Sequence, residues 1–224
     1  MQLNSKQNGV ARGLKEGYRV ERVRGSGHPS TSRESEWVHV FVPKRFADAT
    51  FDTYEVSHHN QKMFGAVKDW ATTYERGAEG LVLGGAIGTG KTHLLYATGR
   101  ELAKRGIWAV YRNFATFCIE MKDAWREKES GNHLKDMLAG APILMLDDLG
   151  AEMQPKSEQG WVAELVYDIV ETRYNEMLPT VIATNLNIED IKARYTHRVA
   201  SRLAEMSKLL WVEGYDYRLR GRAG

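Results

Sequence analysis

Gly84-Gly85-Ala86-Ile87-Gly88-Thr89-Gly90-Lys91-Thr92 (GGAIGTGKT) lies between the apolar run Leu81-Val82-Leu83 and the helix-like His93-Leu94-Leu95-Tyr96. Within it Gly85-x-x-x-x-Gly90-Lys91-Thr92 fits the phosphate-binding loop pattern, and the flanks read strand, loop, helix, which is the context that pattern requires. The residue types suit the chemistry. Glycines let backbone N–H groups close around a polyphosphate, Lys91 can reach β and γ oxygens, and the Thr92 hydroxyl can ligate Mg²⁺. A glycine-rich surface turn is the competing reading.

A second stretch, Ile143-Leu144-Met145-Leu146-Asp147-Asp148, runs from four apolar residues into two acids, 56 residues after Lys91 (147 − 91). A buried strand delivers such carboxylates at its C-terminal edge, where open α/β sheets bind ligands. Asp147 is then expected to hold the Mg²⁺ shell through water, and Asp148 to orient or deprotonate the attacking water. Thr184-Asn185 ends another apolar run, and the Asn185 amide can bind the lytic water or γ-phosphate without adding negative charge. Arg198 and Arg202 share a helix face. They are either solvated helix arginines or arginines offered to a neighbouring subunit's γ-phosphate.

Working outward, apolar runs alternate with helix-length segments. The expected strands are 81–84, 107–112, 143–147, 180–184 and 209–213. The expected helices are 92–104, 114–129, 133–138, 157–177, one capped by Asn187 with Asp190 three residues on, and 196–205. Ahead of them, Ser57 is expected to cap a helix running to about Arg76. This alternation predicts an α/β fold with a five-stranded parallel sheet flanked by helices.

The chain of 224 residues, 42% hydrophobic and 27% charged, is ordinary globular composition with room for one well-buried domain and an appendage. Net charge +2 provides no global basic field for nucleic acid, leaving local patches as the only electrostatic route. The single cysteine, Cys118, excludes an intramolecular disulfide and a cysteine zinc cluster, and no apolar run approaches a signal core or membrane span. A cytoplasmic location with no membrane partner is the default. Residues 1–36 are glycine-dotted, poor in aliphatics, and carry seven Lys/Arg against four acids, which predicts a flexible, mildly basic tail and a domain over 37–224. His58 and His59 are adjacent, so on a helix they diverge by about 100° and cannot chelate one metal together.

Lys122, Trp125, Arg126 and Lys128 place cations and an aromatic on one helical region, the mixture that holds single-stranded nucleic acid. Phe114, Phe117 and Met121 read as core. Trp125 reads as either core or a base-stacking surface, and Cys118 as a buried small hydrophobe.

Taken together, the residues resemble helicase-loader ATPases of the DnaC/DnaI type within the AAA+ superfamily, with the IstB transposition helper as a close relative. The resemblance runs from about Val42 to Arg218. Its parts are Pro43-Lys44-Arg45-Phe46 with Phe51, GAIGTGKTHL at 85–94, Met121-Lys122-Asp123-Ala124-Trp125, LDDLGAE at 146–152, ATN at 183–185, RVASRL at 198–203, and Tyr217-Arg218. It implies a P-loop NTPase fold of AAA+ type without a C-terminal helical lid, the fourth strand inserted between the phosphate-loop strand and the acidic strand. It also implies ATP and Mg²⁺ bound at a subunit interface of a self-associating oligomer. The nucleotide-contacting positions it implies are Gly85, Gly88, Thr89, Gly90, Lys91, Thr92 and His93. Arg202 becomes a trans arginine finger and Arg218 the second sensor arginine. The helix around 114–126, with Lys156 and Ser157 after the acidic motif, becomes a DNA-proximal face. Known loaders carry an N-terminal helicase-binding domain, zinc-bound in some, whereas this chain begins with a tail lacking cysteine pairs.

The resulting expectation is an ATPase that binds single-stranded DNA and loads a DnaB-type replicative helicase, weakly active unless DNA or partner stimulates it. An IstB-like transposition helper and a non-hydrolysing ATP-dependent assembly switch are the alternatives.

Overall fold

The computed structural model describes residues 18–20, 41–126, 132–152, 159–214 and 216–217. Two short strands, β1 (Tyr18–Val20) and β2 (Phe41–Pro43), pair antiparallel, so three residues of the stretch read as a tail are extended against the start of the domain. The remaining strands form one parallel sheet: β3 (Gly80–Gly85), β4 (Val110–Asn113), β5 (Leu144–Leu149), β6 (Thr180–Thr184) and β7 (Ser207–Val212). The order across the sheet is β4-β5-β6-β3-β7. The fourth of these strands therefore lies between the phosphate-loop strand and the acidic strand, as expected.

Seven helices cover the sheet among the described residues: α1 (Gln61–Thr73), α2 (Lys91–Lys104), α3 (Phe114–Arg126), α4 (Asn132–Ala139), α5 (Gln159–Asn175), α6 (Ile188–Arg194) and α7 (His197–Met206). On one face Met63, Val67 and Ala71 of α1 and Leu94, Leu95 and Leu102 of α2 pack with Leu83, Met145 and Val181. On the other, Phe117 and Met121 of α3, Val166 and Ile169 of α5 and Leu203 of α7 pack with Val82, Leu144 and Ile182. Alternate residues of each central strand enter opposite cores, which is why β3, β5 and β6 read as nearly unbroken apolar runs. Phe114, Phe117, Met121 and Cys118 are core, and burial pushes the Cys118 thiol up to about 12.

Several boundaries differ from the sequence reading, each for a local reason. Helix α1 begins at Gln61 because residues 57–60 form a turn, with Asn60 Oδ1 accepting from the Ser57 N–H (2.7 Å). It ends at Thr73, since Tyr74 turns extended with ψ of 129°. β4 starts at Val110, three residues late, because the Ile107 N–H still closes the end of α2 on the Leu102 carbonyl (2.9 Å) across Gly106. The Asn187 cap is a full capping box with Asp190.

Candidate nucleotide site

All five parallel strands end on one edge. In register, Gly85 sits opposite Val212, Gly84 opposite Thr184, Asn113 opposite Asp147 and Thr184 opposite Leu149. The phosphate-loop glycines, both acids and Thr184-Asn185 thereby meet at the carboxyl edge that the sheet's direction predicts.

The loop turns into α2 through Gly88 (φ 78°) and Gly90 (φ 91°), a backbone region that L side chains rarely enter. A Cβ at Gly90 would also run into the Tyr54 ring, so glycine is required twice over. Gly90 occupies the N-cap position of α2 with no side-chain cap, which leaves the first N–H groups of that helix facing the loop for an anion. Lys91 is buried, and its Nζ donates to the Gly85 (2.8 Å) and Ala86 (2.7 Å) carbonyls, folded inside the loop that would hold phosphate. Tyr54 anchors the loop from outside by donating to the Thr89 carbonyl (3.2 Å).

Asp147 is 1% exposed at the end of β5. Its Oδ1 accepts from Thr92 Oγ1 (3.2 Å) and from the Asp148 N–H (3.0 Å), and its Oδ2 accepts from the Tyr111 hydroxyl (2.8 Å). Burial, reinforced by the neighbouring Asp148 charge, pushes its carboxyl up to about 6. Burial beside Asp147 likewise raises the Tyr111 phenol, which stays a proton donor. A buried carboxylate next to the first-turn threonine of α2 is the donor set a hard divalent cation shares with phosphate oxygens and water, so these residues fit Mg²⁺.

Asp148 has φ 56°, an uncommon conformation for a residue with a Cβ, at a break in the β5–β6 register between Leu146 and Leu149. Its Oδ2 accepts from Asn113 Nδ2 (3.0 Å). Asn113 and Tyr111, both on β4, were not picked out from the sequence. Asn113 closes β4 and Tyr111 lies two residues before it, and only the pairing of β4 with β5 brings them to the acids.

The other expected residues are placed as follows. Asn185 is exposed just past β6, while its neighbour Thr184 is buried and donates to the Leu149 carbonyl (2.6 Å). His93 Nε2 lies 2.8 Å from the Thr50 carbonyl and 3.5 Å from Thr53 Oγ1, so it docks the segment ahead of α1 onto α2. Arg202 lies on the α5 side, with Nε 2.6 Å from Glu171 Oε2 and its guanidinium over the Tyr167 and Tyr174 rings. Its partners within the subunit are thus on α5, with the Arg198 carbonyl of its own helix (3.4 Å). Trp125 is 46% exposed, against the core alternative, and meets Trp161 edge to face at 5.0 Å. Lys122 Nζ lies over the same Trp161 ring at 5.6 Å, and Arg126 pairs with Asp123 at the surface. Arg218, Lys156 and Ser157, with Lys128, fall outside the described residues.

The model of the IstB-like ATP binding protein family matches residues 34–223. The chain belongs to that family. This IstB-like protein is also similar to the replicative helicase loader DnaI of Bacillus subtilis, 30% identical over 162 residues, covering 70% of the chain and 50% of DnaI. Its similarity to the replicative helicase loader DnaC of Escherichia coli K12 is 26% over 181 residues, 78% of the chain and 72% of DnaC. It thus spans about half the length of one loader and most of the other. Among solved structures, the crystal structure of the DnaC helicase loader aligns with a TM-score of 0.66 at 29% identity, covering 76% of the IstB-like chain and 99% of the other. The fold is that of AAA+ P-loop ATPases. Among the described residues of the IstB-like protein, no helix is long and apolar enough to cross a membrane.

Proposed function

We propose that this chain is an ATP-hydrolysing helicase loader that binds single-stranded DNA and engages a DnaB-type replicative helicase, with residues 37–224 as the ATPase domain. The observation that carries the reading is the meeting of Lys91, Thr92, Asp147 and Asp148 at one sheet edge, in a chain similar to two replicative helicase loaders.

In this reading the α2 N-terminus and the loop N–H groups bind the β and γ phosphates, and Lys91 exchanges its two loop carbonyls for phosphate oxygens. Thr92 and Asp147 would hold Mg²⁺, which when bound would supply charge neutralisation to those oxygens. Asp148 orients the attacking water and Asn185 binds it or the γ-phosphate from the neighbouring strand. Arg202 acts on a neighbouring subunit's nucleotide after leaving Glu171, and Arg218 acts on the same subunit's. Single-stranded DNA lies along α3, cations on its phosphates and Trp125 with Trp161 under its bases. Residues 1–36 contact the partner, and the protein works in the cytoplasm.

Co-purification tests the partner. A tagged chain with ATP, Mg²⁺ and single-stranded DNA should retain a hexameric replicative helicase, and an equimolar mixture that elutes as separate components contradicts the helicase role. The family match itself favours a second reading, a transposition helper that coats DNA and recruits a transposase. Retention of transposase without helicase selects it. A non-hydrolysing assembly switch is the outcome if ATP drives association while no condition yields phosphate.

A further inference from the structure

The LDDLGAE stretch holds a third acid, Glu152, for which the nucleotide chemistry above has no use. It is 4% exposed, yet both carboxylate oxygens are engaged. Oε2 accepts from the Gly150 N–H (2.9 Å). Oε1 accepts from Arg194 Nε (2.8 Å) and the Tyr195 hydroxyl (2.7 Å), while Arg194 Nη2 also donates to the Glu152 carbonyl (2.7 Å). Arg194 is the last residue of α6, and Tyr195 stands between α6 and α7. Glu152 therefore joins the turn that follows Asp148 to the hinge from which the Arg202 helix departs.

That turn is tightly specified. Asp148 and Gly150 both have positive φ, the Ala151 N–H returns to the Asp148 carbonyl (3.0 Å), and Thr184 holds the Leu149 carbonyl. A non-glycine residue persists in such a conformation only where its surroundings over-determine it. Glu152 is the one side chain among these partners that binds the turn on one side and another helix pair on the other.

We infer that Glu152 is a positioning residue for ATP hydrolysis, holding the Asp148 turn in its working geometry and tying it to the α6–α7 hinge. This rests on the ATPase reading. Its amide isostere cannot replace Glu152. In Glu152→Gln the side chain has one acceptor for two N–H donors on opposite sides, Gly150 and Arg194, so one contact becomes a donor–donor clash.

The test is a double-mutant cycle on the full chain, measuring kcat, KM and ATP affinity with single-stranded DNA present. Turnover by the parent, abolished in Lys91→Ala, first establishes the site; its absence defeats the ATPase reading rather than this inference. With turnover in hand, Glu152→Gln is expected to lower kcat about tenfold or more, the scale of a displaced reacting group, with ATP affinity within about threefold. In an Asp148→Asn background the same change should have no further effect, because it acts through Asp148. Tyr195→Phe, which removes one of the three contacts and keeps the ion pair, should show the same kcat-only loss on a smaller scale and serves if Glu152→Gln fails to fold. Unchanged kcat in both variants, losses that fall equally on ATP affinity, or losses that multiply with Asp148→Asn would each overturn the inference.

Discussion

Replacing Asp147 by Asn should make the protein more stable while disabling its nucleotide chemistry. The carboxyl titrates at about 6 instead of its ordinary 3.8 because it is buried and faces the Asp148 charge. The folded state thus keeps a proton that the unfolded chain releases between these values, so stability falls as pH rises from about 4 to 6 and the deficit is complete above that. Two decades of pH at about 1.36 kcal/mol each amount to about 3 kcal/mol at neutral pH. Asparagine removes the charge and keeps the packing. Its oxygen can accept from Thr92 and from the Asp148 N–H, while its amide donates to a Tyr111 hydroxyl turned to accept. The expected gain is about 2–3 kcal/mol, or roughly 5–10 °C in Tm for a chain of this size. Thermal unfolding of both proteins in EDTA without nucleotide, from pH 4 to 8, measures it. The Tm difference should open between pH 4 and 6 and then stay level. A variant less stable than the parent at pH 7.5, or a difference that does not depend on pH, would refute the reasoning.

Other substitutions probe separate parts of the account. Lys91→Ala should abolish binding of a fluorescent ATP analogue; retention of affinity within about threefold would remove the loop from the site. Arg202→Ala should leave ATP binding by the isolated subunit intact and lower DNA- or partner-stimulated hydrolysis by about 10³-fold if it acts in trans. Unchanged stimulated turnover would assign it to the α5 contacts alone. Trp125→Ala should weaken single-stranded DNA binding by about 1–3 kcal/mol in an anisotropy titration without altering ATP affinity. Arg173→Met tests the fold itself. The guanidinium is fully buried with no carboxylate partner among the described residues, donating to the Leu138, Ala139, Ala141 and Pro179 carbonyls and to Thr180 Oγ1. Leaving these acceptors dry should lower stability by about 4 kcal/mol in urea unfolding.

The strands that carry the chemistry were readable because each is an apolar run closed by polar residues, and parallel pairing brings those closures to one edge. Lys91, Thr92, Asp147 and Asp148 could be assembled on that ground. Residues acting through contact rather than pattern could not. Tyr111 and Asn113 become neighbours of the acids only once β4 pairs with β5. Glu152 finds Arg194 and Tyr195 more than forty residues away along the chain. Arg173, inside α5, is buried by tertiary packing that no local pattern announces. Trp125 fell between two environments that give the same helical spacing, and only its exposure separates them. Local hydrogen bonds decided the boundaries: the turn at 57–60 delays α1, and the Leu102–Ile107 closure delays β4.

The proposed role depends on these strand ends forming a site that hydrolyses ATP. Phosphate release by the purified chain with Mg²⁺, with and without single-stranded DNA, beside Asp148→Asn under the same conditions, tests it most directly. Turnover should rise with DNA, and the Asp148→Asn protein should bind ATP as tightly as the parent while releasing phosphate at least about 10²-fold more slowly. No turnover by the parent with DNA and helicase both present, or equal turnover by parent and variant, would contradict it.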